Sequence, residues 1–282
     1  MKINQTKVHG QTIEYYDQGI GDTLLMIHGL LNAKEGLEPS ADILSKNFRI
    51  IVPDLPGYGG SDQFLEGESH EEFADFLSDF IEELSLSHIH ILGTSFGGTI
   101  AIDFASRYPQ KTNKLILRAP LYDSNQIPKM ISNDISKSLI KNITKPVILQ
   151  KHIARIVCKI YADVVEKKTS DLQDQNSSEV LQKTTNIWLN RMNDERVREM
   201  MRNILINLLY IDLRPQIKQI TNETLILWKK GDHFVGESGE ELHKILKNSK
   251  YLEMHGKYHA MINDNIDVLT RRITDFLNEQ NK

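Results

Sequence analysis

The chain lacks several features that would narrow its chemistry at once. Among 282 residues there is one cysteine, Cys158, so neither an internal disulfide framework nor a multi-thiolate metal site is available. No apolar run reaches the ~18 residues needed to span a bilayer. Charge of one sign is also in short supply. With 34 Lys and Arg against 38 Asp and Glu the formal net charge is -4, which gives no basic footprint for nucleic acid and no attraction to an anionic membrane surface. Met1–Tyr16 is polar and alternating, and is read as neither a signal peptide nor a transit peptide. These absences lead to the expectation of a soluble cytoplasmic globular protein, a monomer or homodimer, long enough for an ample core.

What is present is a rhythm of elements. Two alternating stretches, Lys2–Val8 and Thr12–Tyr16, flank His9-Gly10 and predict an antiparallel hairpin. Thr23–Ile27, Phe48–Val52 and Ile89–Leu92 are short, apolar and branched, as strands buried on both faces should be. Glu71–Leu84 carries Phe73, Phe76, Leu77, Phe80, Ile81 and Leu84 at helical spacing. A helix over Phe96–Arg107 and a strand at Leu115–Leu117 follow. This alternation predicts an α/β fold with a mostly parallel central sheet and helices on both faces. From Leu121 to about Leu213 only helical periodicity remains, with one stripe from Leu149 to Val164 and another through Val197, Met201, Ile204, Leu205 and Leu208. Strands return at Thr224–Trp228 and Tyr251–Met254, with helices through Glu240–Leu246 and ending near Phe276. The expected organisation is a core of residues 1–120 and 214–282, interrupted by a helical cap over 121–213.

Gly93-Thr94-Ser95-Phe96-Gly97 fits G-x-S-x-G. Composition alone gives about 0.06 chance matches in such a chain, so the context has to decide. The motif follows the apolar strand directly and precedes an amphipathic helix, the setting of a nucleophile elbow. A serine at so sharp a turn takes a strained backbone that lifts its hydroxyl clear of the sheet. Side chains at 93 and 97 would collide there, and Gly98 lets the helix pack closely. The helix N-terminus beneath Ser95 favours the negative charge that develops in acyl transfer. Phosphate loops need another spacing and usually a lysine, both missing here.

With these residues in view, the sequence resembles the α/β-hydrolase superfamily over nearly its whole length outside the insertion. His28-Gly29-Leu30 resembles the family's oxyanion loop, and Asp54-Leu55-Pro56-Gly57-Tyr58-Gly59-Gly60-Ser61-Asp62 its D-x-x-G-x-G-x-S turn. The Ser95 elbow comes third. Asp232 and His259 then stand where the family carries its acid and base, in the chain order Ser…Asp…His. The resemblance implies that His259 takes the Ser95 proton, that Asp232 orients the imidazole, and that the backbone N–H groups of Leu30 and Phe96 hold the oxyanion. It implies no metal or organic cofactor.

Other residues compete for these roles. Asp123, just past the strand ending at Leu117–Ala119, is the alternative acid; His255 and His233 are alternative bases. His28 is read as a brace for the oxyanion loop. Trp188 and Met192, with Met200 and Met201, are candidates to line an acyl pocket, or else pack helix against core. A serine at the elbow argues against relatives that attack with a carboxylate. The expectation is therefore a hydrolase of a small, largely hydrophobic ester or thioester. Carbon–carbon bond hydrolysis or acyl transfer on the same triad is the alternative, and a ligand sensor of this fold is the reading from another class.

Overall fold

The structure is a computed structural model that describes residues 1–64, 68–126, 175–230, 232, 235–254 and 266–279, with 175–178 and 181 by backbone alone. His259, His255, His233, Cys158 and the 149–164 stripe lie outside the described residues.

Among the described residues eight strands form one sheet in the order β1-β2-β4-β3-β5-β6-β7-β8. β1 (Ile3–Val8) and β2 (Gln11–Gln18) form the expected hairpin, paired from Ile3↔Tyr16 to Val8↔Gln11. Its turn residues His9 and Gly10 both have positive φ, 51° and 81°, the backbone that matches the twist of two antiparallel strands. β2 runs antiparallel to β4 (Arg49–Pro53). From there β4, β3 (Thr23–Ile27), β5 (Ile89–Thr94), β6 (Thr112–Arg118), β7 (Thr224–Lys229) and β8 (Ser249–Met254) are parallel. All of β7 and nearly all of β3, β4, β5 and β6 are buried, which is why the middles of these segments are predominantly apolar rather than alternating.

Helices cover both faces. On one side α1 (Glu38–Leu44) and α8 (Ile266–Asn278) supply Ala41, Leu44, Leu269, Ile273 and Phe276 against Leu24, Met26, Ile50 and Val52. On the other lie α2 (His70–Glu83), α3 (Phe96–Arg107), α4 (Gln175–Arg191), α5 (Glu195–Leu208) and α7 (Gly239–Ile245), with the short α6 (Arg214–Ile217) between. α2 begins in a reciprocal cap: the Glu72 N–H donates to Ser69 Oγ, and the Ser69 N–H donates to the Glu72 carboxylate, satisfying two otherwise orphan donors. The second predicted stripe is real. Val197, Met201, Ile204 and Leu208 of α5 are buried.

The chain just after β6 and the chain just before α6 meet. Asp123 and Asp212 form an antiparallel bridge. The Leu213 N–H donates to the Tyr122 carbonyl, and the Ser124 N–H to that of Ile211, both at 2.8 Å.

β6 starts three residues before its apolar stretch, because Lys114 is polar in sequence yet buried. Its ammonium donates to the carbonyls of Phe276 (2.9 Å) and Glu279 (2.6 Å) and pairs with Glu223 at 3.0 Å. It thereby satisfies the open carbonyls at the end of α8.

Candidate active site

Ser95 sits between the last residue of β5 and the first of α3. Its backbone has φ 53° and ψ -118°, outside the regions open to L-residues. That conformation is held from both ends. The Ser95 N–H donates to the Arg118 carbonyl (2.9 Å), and its own carbonyl accepts from the N–H groups of Gly98 (2.8 Å) and Thr99 (3.1 Å). The Ser95 hydroxyl is not spent on capping α3. The glycines are explained by contact: a Cβ on Gly97 would stand 2.3 Å from the Ile27 carbonyl oxygen, and one on Gly93 would stand 2.3 Å from that of Gly97. Gly98 faces Pro120, 2.8 Å from a would-be Cβ, so it admits the loop after β6. Phe96, buried, is the first residue of α3, and the N–H groups of a first helical turn have no partner within the helix.

The loop leaving β3 lies against this turn. A Cβ on Gly29 would be 3.3 Å from Ser95 Cβ and 3.9 Å from Ser95 Oγ. His28, fully buried, organises the loop. The Leu55 N–H can only donate, so His28 Nε2 accepts it (3.1 Å) and the proton resides on Nδ1, which donates to the Gly29 carbonyl at 2.9 Å. Burial holds this imidazole below the usual histidine range and hence neutral. The Gly29 carbonyl and the Leu30 N–H share one planar trans peptide and point in opposite directions. Fixing the carbonyl on His28 therefore fixes the line of the Leu30 N–H. The next residue, Leu31, has φ 54°, a left-handed conformation that neighbours must enforce.

The far end of the loop is anchored by Lys34. Its ammonium, 2 % exposed, contacts Glu14 (2.6 Å), Asp54 (2.7 Å) and Glu35 (3.1 Å). Asp54 also accepts the backbone N–H groups of Lys34 (2.8 Å) and Gly60 (2.9 Å), so one carboxylate ties the loop to the 54–62 turn. Nothing in the sequence around Lys34 forms a motif, and its role is visible only in three dimensions.

Asp232 follows β7, at the same end of the parallel strands as Ser95 and two strand spacings along, about 10 Å laterally. It is buried, and its carboxylate accepts the Val235 N–H at 3.1 Å. Asp123, after β6, is also buried; it accepts the Asn125 N–H (2.9 Å) and pairs with Arg214 (3.3 Å). His259 lies outside the described residues, so the meeting of acid, base and nucleophile stays an expectation of the sequence.

α4 closes over both loops. The Trp188 indole N–H donates to the Asn32 carbonyl at 3.0 Å. One turn later the Arg191 guanidinium forks onto the carbonyls of Gly57 (3.2 Å) and Ser61 (3.0 Å). The Trp188 ring meets Tyr58 edge-on at 4.8 Å, and Tyr58 lies 4.9 Å from the His28 ring. Met192 is buried beside them, and Arg198 of α5 donates to its carbonyl at 2.9 Å. A separate groove of about 1040 Å³, lined among others by Thr112, Lys114, Asn222 and Lys250, opens at the opposite ends of the strands, away from Ser95.

Residues 22–265 match the family described as alpha/beta hydrolase fold. The chain belongs to that family. This α/β-hydrolase is 34% identical over 114 residues to 2-hydroxy-6-oxononadienedioate/2-hydroxy-6-oxononatrienedioate hydrolase 1 of Pseudomonas putida, covering 37% of this chain and 39% of that one. Its matches to curated relatives such as these span well under half of their length, from 32% to 43%. Over its whole length it superposes on the esterase EaEST of Exiguobacterium antarcticum, with TM-score 0.78, 20% identity and coverage of 98% of this chain and 99% of that one. The enol-lactonase of Burkholderia xenovorans LB400 gives TM-score 0.77 at 19% identity, covering 98% of this chain and 100% of the other. At those identities the superpositions establish a shared fold. Among the described residues no helix is long and apolar enough to cross a membrane, and no group of His, Cys, Asp and Glu is arranged to hold a metal ion.

Proposed function

We propose that this α/β-hydrolase cleaves a small, largely hydrophobic carboxylic ester or thioester through an acyl-enzyme on Ser95. The observation that carries the reading is the Ser95 backbone, strained at φ 53° and tied by hydrogen bonds on both sides, with the Gly29 loop against its side chain. Such strain persists where the surroundings over-determine it, and it clusters at reactive groups. His259 removes the Ser95 proton as Oγ bonds to the acyl carbon, and the carbonyl electron pair moves onto oxygen. The Leu30 and Phe96 N–H groups hold that oxyanion. Its collapse breaks the bond to the alcohol or thiol, which leaves with the proton from the imidazolium. Water activated by the same imidazole then repeats the sequence and releases the acid. Asp232 orients the imidazole. The engagement of Asp123 with Arg214 supports Asp232 for that task.

In this reading residues 121–213 form a cap over Ser95, the apolar stripes of the cap favour an apolar acyl or alcohol part, and the enzyme works in the cytoplasm. The test is labelling by a fluorophosphonate probe, lost in Ser95→Ala, together with turnover of p-nitrophenyl esters of increasing acyl length. No labelling of the wild type sinks the serine-hydrolase reading and leaves a ligand-binding member of the fold. Labelling without turnover of any ester favours the second reading, hydrolysis of a carbon–carbon bond in a diketone-like substrate. That alternative is supported by the 34% identity to the Pseudomonas putida hydrolase.

A further inference from the structure

We propose that Trp188 is a positioning residue for the oxyanion, acting through the backbone of the loop that carries Leu30. The inference rests on the assignment of the Leu30 N–H as an oxyanion donor. The loop from 28 to 34 is fastened at three points. His28 fixes the Gly29 carbonyl at the start, and Lys34 fixes the end on Asp54. Between them Leu31 is held at φ 54°, and the next residue, Asn32, accepts the Trp188 indole N–H.

The middle fastening thus comes from a residue 156 positions away in sequence, on a helix outside the sheet. Its hydrogen bond falls two residues after Leu30, next to the residue whose conformation costs most. A second path runs through rings: Trp188 against Tyr58, Tyr58 against His28. The indole is 2 % exposed and Asn32 is half-buried, so a missing N–H removes a fixed donor that mobile water replaces only in part. Seating of α4 and the direction of the oxyanion donor are therefore one event. In this proposal Trp188 braces the site rather than lining the acyl pocket.

The deciding variant is Trp188→Phe, which keeps an aromatic ring against Tyr58 and deletes the donor. Two readouts are taken on the full chain: amide hydrogen exchange across 28–34 relative to β6, and kcat and KM on the p-nitrophenyl ester series. We expect exchange in 28–34 to rise about 5-fold with β6 unchanged, the equivalent of one neutral hydrogen bond. We expect kcat to fall about 5-fold on every ester with KM within about 2-fold, since a transition-state interaction alone is weakened. Unchanged exchange in 28–34 overturns the proposal, as does acceleration that includes β6 equally. A KM that climbs with acyl length at constant kcat also overturns it, because the indole then contacts substrate. If the wild type proves unreactive toward fluorophosphonate, the serine-hydrolase reading fails on its own account. Exchange confined to 28–34 would still uphold the tether, and uniform or absent acceleration would refute it.

Discussion

Replacing Ser95 by glycine and by alanine isolates the strain at the elbow from the chemistry, because both variants lack the hydroxyl. The wild-type backbone at φ 53° and ψ -118° costs a residue with a Cβ on the order of 1–3 kcal/mol. Alanine keeps the Cβ and so keeps the cost. Glycine removes it, while its looser unfolded chain subtracts about 0.4–1 kcal/mol. The net expectation is that Ser95→Gly is more stable than Ser95→Ala by roughly 0.5–2 kcal/mol. For a chain of this length about 1 kcal/mol moves Tm by ~2 °C, so the glycine variant should melt ~1–4 °C higher by scanning calorimetry. At an ordinary helix or strand position the order is the reverse, with glycine the less stable by roughly 0.5–1 kcal/mol. A Ser95→Gly protein that melts at or below Ser95→Ala would remove the strain argument altogether.

Other consequences can be measured independently. Gly97→Ala should fold poorly and lose fluorophosphonate labelling, because its Cβ meets backbone oxygens at 2.3 Å and 2.5 Å; a well-folded, labelled variant would show that the elbow tolerates a side chain. Lys34→Met strands Asp54 and Glu14 as carboxylates without their cation and should lower stability by about 3–5 kcal/mol in urea unfolding; a loss near zero would mean the cluster holds nothing together. Burial pushes the His90 imidazole down to about 4 and lowers that of His28, whereas both groups titrate near 6.5 when free. The native state therefore binds fewer protons than the unfolded chain below that pH. Stability is fully present above 6.5 and declines as pH falls through the window down to about 4, with a slope of up to ~1.4 kcal/mol per pH unit for each group. His90→Asn should flatten that decline in urea titrations run on either side of the window; an unchanged slope would refute the assignment.

The layered core was legible because its signals are local. Five strands with both faces covered carry short, mostly apolar and branched runs, and α2 writes its buried face at helical spacing. The elbow was legible for a similar reason, since a serine flanked by glycines between a strand and a helix has few other uses. What escaped notice depends on partners distant in sequence. The start of β6 was hidden because Lys114 is buried among carbonyls supplied by α8. Lys34 carries no signal in the sequence, and its partners Glu14, Glu35 and Asp54 come together only in the fold. Trp188 and Met192 were read as lining a pocket or packing helix on core; both are buried in the core, and the indole N–H on the distant Asn32 carbonyl adds a contact that sequence did not show. The oxyanion loop falls between these cases: His28-Gly29 is a visible motif, but its tautomer follows only from the Leu55 N–H that faces it.

The bridge between Asp123 and Asp212 sets the chain just after β6 beside the chain just before α6. Two residues joined as ladder partners sit about 5 Å apart, a gap that a tight hairpin turn closes without disturbing either flank. A turn in place of residues 125–210 would close that gap but would remove Trp188, Met192, Val197, Met201 and Ile204, which are buried in one core with the sheet, so the shortened protein should lose that packing. Stretches of different length can meet at the same two anchor points on one condition: they must cover the apolar face that α4 and α5 cover here.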